Sequence, residues 1–143
     1  MKKSALIFFM ISLIYLPGCK QSFEPISYGH DACVQCKMTI MDKRFAAEIV
    51  TSKGKVYKFD DIGCLLKYAT GQISRDTGAL ILVSDYNNPE NQFINAYRAV
   101  YLHNEIFKSP MNGNYAAFAT VENTGQLKDS LHTELLKWEN LHK

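Results

Sequence analysis

The chain has 143 residues, 47% of them hydrophobic and 21% charged, and a formal net charge of +2. That length suits one compact domain or two small units sharing a core, and so weak a charge leaves no electrostatic footprint for nucleic acid, which excludes a polyanionic partner. Four cysteines and five methionines in so short a chain turn attention to sulfur.

The N-terminus reads MKKSALIFFMISLIYLPGC: two lysines, then an apolar run from Ala5 to Leu16. The run is too short for a membrane-spanning helix, which needs about 20 apolar residues, and residues 1–18 read as an export signal. Leu16-Pro17-Gly18-Cys19 resembles a bacterial lipoprotein box, which implies lipidation of Cys19 and anchorage to a bacterial membrane, facing the periplasm or cell exterior. Export leaves Cys33, Cys36 and Cys64 in an oxidising compartment, where three thiols cannot all pair within one monomer. Residues 19–30 contain Pro25 and Gly29, show no periodicity and read as a tether from Cys19. Residues 31–143 then form the folded domain, with halves 31–90 and 91–143.

The domain opens on DACVQCKM, in which Cys33 and Cys36 form a C-x-x-C and Met38 follows two residues later. Thiolate and thioether donors select Cu(I) by softness, whereas zinc takes Cys, His and carboxylate and gains nothing from methionine. On an extended segment Cys36 and Met38 project to one face and converge on one ion. Cys33 joins them only if Val34-Gln35 turns, and its competing use is a disulfide to Cys36. Lys37 in place of His removes the c-type haem reading. His30 could add a nitrogen from the tether, while His103, His132 and His142 have no motif around them and read as surface residues.

RFAAEIVTS and VYKF flank a Gly-containing turn and read as a hairpin. Asp60 and Asp61 supply N-cap chemistry for a helix over 61–70, with Ile62, Leu65, Leu66 and Ala69 at helical spacing and Gly71 as its stop. Within it Cys64 reads as a small buried hydrophobe. ALILVSDY is a strand-length apolar run that closes a strand, strand, helix, strand unit. The second half repeats that order through FINAYRAVYLH, YAAFAT, a short helix and TELLKW. The alternative is one long helix from about Glu122, lined by Leu127, Leu131, Leu135 and Trp138. Gly125 and the His132-Thr133 region are poor helix-interior residues, which favours the repeat. The aromatics Tyr57, Phe59, Tyr97 and Tyr101 read as core. The fold class is α+β, two successive ββαβ-type units. Met111, in the exposed-looking loop SPMNGN, is the remaining sulfur donor from the second half.

Together, the lipobox, CVQCKM, GKVYKFDDIGCLLKYA and SPMNGNYAAFAT resemble the NosL family, lipoprotein copper chaperones for nitrous oxide reductase assembly. The resemblance covers roughly residues 33–120, and one departure is Asn112, where the family commonly places Gly after the Met. It implies a repeated ββαβ fold, one Cu(I) ion held by Cys36 and Met38 with Cys33 or Met111, no catalysis and no small-molecule substrate. It also implies that the partner is a copper-accepting reductase or its membrane assembly complex. Three rivals stand beside it. A thiol-disulfide redox protein would use Cys33 and Cys36, but strand-like sequence follows them where such enzymes place a helix N-terminus. A mononuclear blue copper site wants two His beside one Cys, and a zinc knuckle lacks an obvious fourth ligand.

Overall fold

The computed structural model describes residues 21–90 and 93–141. The export signal, Cys19 and His142 lie outside them. Strands β1 (Ala47–Val50), β2 (Val56–Phe59), β3 (Leu80–Ser84) and β4 (Phe93–Asn95) form an antiparallel sheet in the order β2-β1-β3-β4. Helix α1 (Ile62–Tyr68) follows β2, and a π-type turn carries it on over Ala69–Ile73. Gly71 therefore lies inside that turn and does not stop the helix.

A second sheet pairs β5 (Val100–His103) with β6 (Tyr115–Phe118), and a bridge from Tyr101 to Leu136 adds a one-residue third strand. Between β6 and Leu136 runs α2 (Leu127–Ser130). The order β6, β5, Leu136 repeats β2, β1, β3, so the chain is two ββαβ units with the last strand reduced to one residue pair. Gly125 with φ 51° and His132 with φ 49° both sit in the left-handed region, which breaks the long helix that the leucine spacing alone allowed. The FIN segment differs from expectation: it adds β4 to the first sheet instead of opening the second.

Alternation along β5 and β6 places the second sheet between two apolar clusters. Tyr101 and Ala117 face the main core with Ile49, Phe59, Leu65 and Val83, while Val100, Leu102, Ala116 and Phe118 join Phe45 and Phe107 in a second core. Tyr101 is fully buried, and its hydroxyl donates to the Ala96 carbonyl at 2.6 Å. Tyr97 departs from its core reading and stays 56% exposed, edge-on to Trp138.

Of the segment 19–30 read as a tether, residues 21–30 are described, and they lie against the domain. Gln21 Nε2 donates to the carbonyls of Thr51 at 3.0 Å and Gly78 at 2.7 Å, and Ile26 is buried in the main core. Lys58 Nζ ties the segment down through Glu24 at 2.7 Å and Asp31 at 2.8 Å. Beneath it Glu48 has no exposed surface and accepts only the Glu24 backbone N–H on Oε1 at 3.1 Å, leaving Oε2 without a partner among the described residues.

The two units meet at Asp61. Its buried carboxylate accepts the Gly63 N–H at 2.5 Å as N-cap of α1, and also Ser109 Oγ at 2.5 Å and the Met111 N–H at 3.0 Å. The loop comes this close because two glycines stand back to back. A Cβ on Gly63 would lie 3.2 Å from Gly113 Cα, and one on Gly113 would collide with the Asp61 carboxylate. Gly113→Ala should therefore destabilise the protein by about 1–3 kcal/mol in urea unfolding, whereas unchanged stability would mean that the loop does not press on the helix start.

Burial pushes the Glu48 carboxyl up from 4.5 to about 7, against the attraction of Lys58. A raised acid means that the folded state holds a proton which the unfolded chain has lost. This contribution is full below pH 4.5 and disappears as pH rises through 7. Stability should fall by about 1–3 kcal/mol between pH 5 and 8, and Glu48→Gln should flatten that slope in thermal melts across the range.

Candidate metal centre

The C-x-x-C forms a tight knuckle. Ala32 bridges Thr39, the Cys33 N–H donates to the Met38 carbonyl at 2.8 Å, and the Lys37 N–H returns to the Cys33 carbonyl at 2.9 Å. Lys37 closes this turn in the left-handed region at φ 68°. Cys36, Lys37 and Met38 are therefore not extended, and alternation along a strand does not aim their sulfurs at one ion. The knuckle is fastened to β2 by the Val34 N–H on the Lys58 carbonyl at 3.0 Å.

Directly beyond Lys58, β2 ends at Phe59 and the chain turns into α1. Asp60 and Asp61 are neighbours in sequence with different tasks: Asp61 caps the helix, while Asp60 faces the knuckle. The Cys36 thiol lies 3.3 Å from Asp60 Oδ2. Cys64, in the first turn of α1, brings a third thiol to the same place. One donor atom from each of Cys33, Cys36, Asp60 and Cys64 lies within 4.8 Å of every other.

Three of these four groups are shut away from water, with Cys33 0%, Asp60 1% and Cys64 2% exposed, and Cys36 is half-buried at the mouth. All three thiols are free. Burial pushes the Cys33 thiol up to about 11, with the Asp60 carboxylate adding to it. The Cys64 thiol is raised further, first by burial and then by the negative charge that Cys33, Asp60 and Cys36 carry when ionised. Both buried thiols are thus held protonated at neutral pH, and only a cation that repays their ionisation draws them out as thiolates. Asp60 Oδ1 is buried without a hydrogen-bond partner among the described residues, as fits a donor set awaiting a positive charge.

Of the residues singled out in sequence, Cys33 and Cys36 come together here. Met38, two residues after Cys36, is 53% exposed, and Met41 is 68% exposed. Met111 is half-buried and packs on the main core that includes Cys33 and Cys64. Its backbone is held at the start of α1 through Asp61. Asn112 takes φ 58°, a left-handed conformation that Gly adopts freely and Asn tolerates best among the others. The departure from the Gly expected there thus keeps the loop's shape. His30 is exposed and outside the cluster.

Asp60 and Cys64 are the residues that sequence reading missed, Asp60 taken for a helix cap and Cys64 for a core filler. The available signal was their spacing: a Cys three residues into a helix has its side chain near the N-cap, next to whatever precedes it.

A chain of two ββαβ units whose first unit gathers three thiols and a carboxylate around a C-x-x-C knuckle is, as a class, an α+β domain with a thiol-rich donor cluster fit to hold a metal ion. The comparisons with known proteins narrow the class: the NosL family model matches residues 26–143, and the chain belongs to that family. Among solved structures it is similar to the crystal structure of the copper chaperone NosL from Shewanella denitrificans. The TM-score is 0.69 and the identity 18%, over 85% of this chain and 96% of that one. No curated protein matches.

Exposure orders the thiols by reactivity. In the reduced, metal-free protein at pH 8, alkylation followed by mass spectrometry should label Cys36 at least about tenfold faster than Cys33 or Cys64. Equal rates would mean that the pocket opens on the labelling timescale.

Proposed function

We propose that this chain is a membrane-anchored Cu(I) metallochaperone, not an enzyme, which delivers copper for assembly of a nitrous oxide reductase-type copper enzyme. The observation that carries the reading is the gathering of three thiols at the knuckle in a member of the NosL family. The name of the Shewanella structure, a copper chaperone, supports the same cargo.

One copper ion is the substrate. Cys33 and Cys36 offer thiolates, joined by Cys64 in the pocket, and Met38 and Met111 offer thioethers. Soft sulfur donors in twos or threes suit Cu(I) and discriminate against hard cations. Loading drives out thiol protons, so Cys33 and Cys64 themselves stay uncharged until copper arrives. Unloading proceeds by ligand exchange, in which an acceptor sulfur displaces Met38 first because a neutral thioether is the weaker donor and the more exposed one. The acceptor is a copper-accepting reductase or its membrane assembly complex, and a lipid on Cys19 keeps the search for it on the membrane surface.

The thiol-disulfide alternative is less well supported. A redox C-x-x-C depends on a depressed thiol pKa at a helix N-terminus, whereas Cys33 is raised and the motif sits in a knuckle between bridged residues.

Anaerobic competition titration with Cu(I) tests the reading on the reduced chain carrying Cys19→Ser. One equivalent should bind tightly. Cys36→Ser should weaken binding by at least about 100-fold, and Met38→Leu should slow transfer to a thiol acceptor more than it lowers affinity. Weak binding that ignores both substitutions would overturn the copper assignment.

A further inference from the structure

The hairpin turn between β1 and β2 and the loop before β3 meet at one end of the first sheet. The Ser52 N–H donates to Asp76 Oδ2 at 3.0 Å and the Gly78 N–H to Asp76 Oδ1 at 3.2 Å, so one carboxylate fastens the two together. The turn itself is closed by the Thr51 N–H on the Lys55 carbonyl at 2.8 Å and the Lys55 N–H on Thr51 Oγ1 at 2.9 Å. Between turn and loop lies an open cavity of about 550 Å³, and the charged side chains on its wall are Lys53, Lys55, Arg75 and Asp76.

All three cations are exposed, and none joins an ion pair among the described residues. The one acid is occupied by backbone N–H groups, which leaves this end of the sheet positive. Lys55 Nζ lies 4.8 Å from the centre of the Tyr57 ring, which lines the same cavity. A net charge of +2 excludes a polyanionic partner for the chain as a whole, but this end departs from that average.

The place of these cations in the chain says what they meet. Gln21 Nε2 is held by the carbonyls of Thr51 and Gly78, on the same turn and loop, and only Lys20 separates Gln21 from Cys19. A lipid on Cys19 therefore brings headgroups to this cavity. We propose that the face formed by Lys53, Lys55 and Arg75 docks on the acidic phospholipid headgroups of the bilayer, each cation meeting a phosphate, with Tyr57 at the headgroup boundary. The choice of a membrane as partner rests on the anchoring proposed above. The Arg75 fork matches a phosphate bidentately, and the two lysines act as point charges. Because turn and loop are already pinned to one another, docking orders little backbone. A nucleic acid needs a longer basic track than three residues around one cavity, and the cavity is wider than a single phosphate ion fills.

Residues 19–143 carrying Cys19→Ser, reduced and free of metal, test the surface apart from any lipid on the chain. In amide NMR at low salt, phosphatidylglycerol nanodiscs should attenuate the signals of residues 51–57 and 72–78 ahead of the rest, while phosphatidylcholine nanodiscs should leave the spectrum unchanged. Salt at about 0.5 M should abolish the response. Lys53→Gln, Lys55→Gln and Arg75→Gln should each weaken the affinity about fivefold. Lys128→Gln, which removes the same charge from α2, should change it less than about twofold. The substituted side chains are exposed, so the variants keep the fold. An equal response to phosphatidylcholine, attenuation centred elsewhere, or a Lys128→Gln loss as large as the other three would overturn the proposal. So would the same response to inorganic phosphate at matched concentration, which would make the cavity a small-anion site. Mass spectrometry of the N-terminal peptide of the native chain, recovered from membranes, reads the anchoring separately. An unmodified Cys19 beside a full response to acidic nanodiscs would sink the anchor and leave the surface standing, and a lipidated Cys19 beside no response would do the reverse.

Discussion

The arrangement depends on one buried carboxylate. Asp61 starts the helix that carries Cys64, holds the loop that carries Met111 through Ser109 and the Met111 N–H, and fixes where β2 ends. Three hydrogen bonds to one buried charged acceptor are worth roughly 1.5–3 kcal/mol each in exchange for water. The cost of leaving their donors unsatisfied is as large again, so the joint is the natural point at which the two units become one body. The metal pocket is a by-product of the same joint: the chain must turn sharply between Phe59 and Ile62, and Asp60, caught in the turn, has nowhere to face except the knuckle.

The repeat explains why the thiols sit where they do. Both units use the order edge, centre, third strand, but the second shrinks its third strand to Leu136 and its helix to four residues. The first keeps a full helix whose N-terminus abuts the sheet edge. Only the first unit therefore has a rigid corner against which a knuckle can close, and the second contributes packing and the loop at Ser109–Asn114. Its own core of Phe45, Val100, Leu102 and Phe118 holds that loop's base.

Much of this was legible in the chain. Hydrophobic spacing marked α1 and β1 to β3, and Gly125 with His132, as poor helix-interior residues, argued against a long final helix; in the structure both take positive φ. The C-x-x-C marked two of the three clustered thiols. What the sequence concealed was tertiary. Asp60 and Asp61 are indistinguishable as cap candidates until the direction of the turn is known. Cys64 looks like any small apolar residue on a helical face until the knuckle is placed against it. Residues 21–31 lack periodicity because their order comes from Lys58, Glu48 and the main core, which no local pattern encodes. Cys36 and Met38 misled through an assumption of extended backbone, which the left-handed Lys37 breaks.

The course of that N-terminal segment has a consequence for orientation. Gln21 is pinned at the Thr51 and Gly78 end of the first sheet, and the chain then runs the length of β1 and β2 before reaching the knuckle at the Phe59 end. Only Lys20 lies between Gln21 and Cys19, a leash of about 7 Å. Were Cys19 lipidated as proposed, the hairpin end of the first sheet would be the end nearer the bilayer, and the sulfur pocket would lie at the other end of that sheet. A copper acceptor would then meet the thiols on the side of the domain away from the lipid.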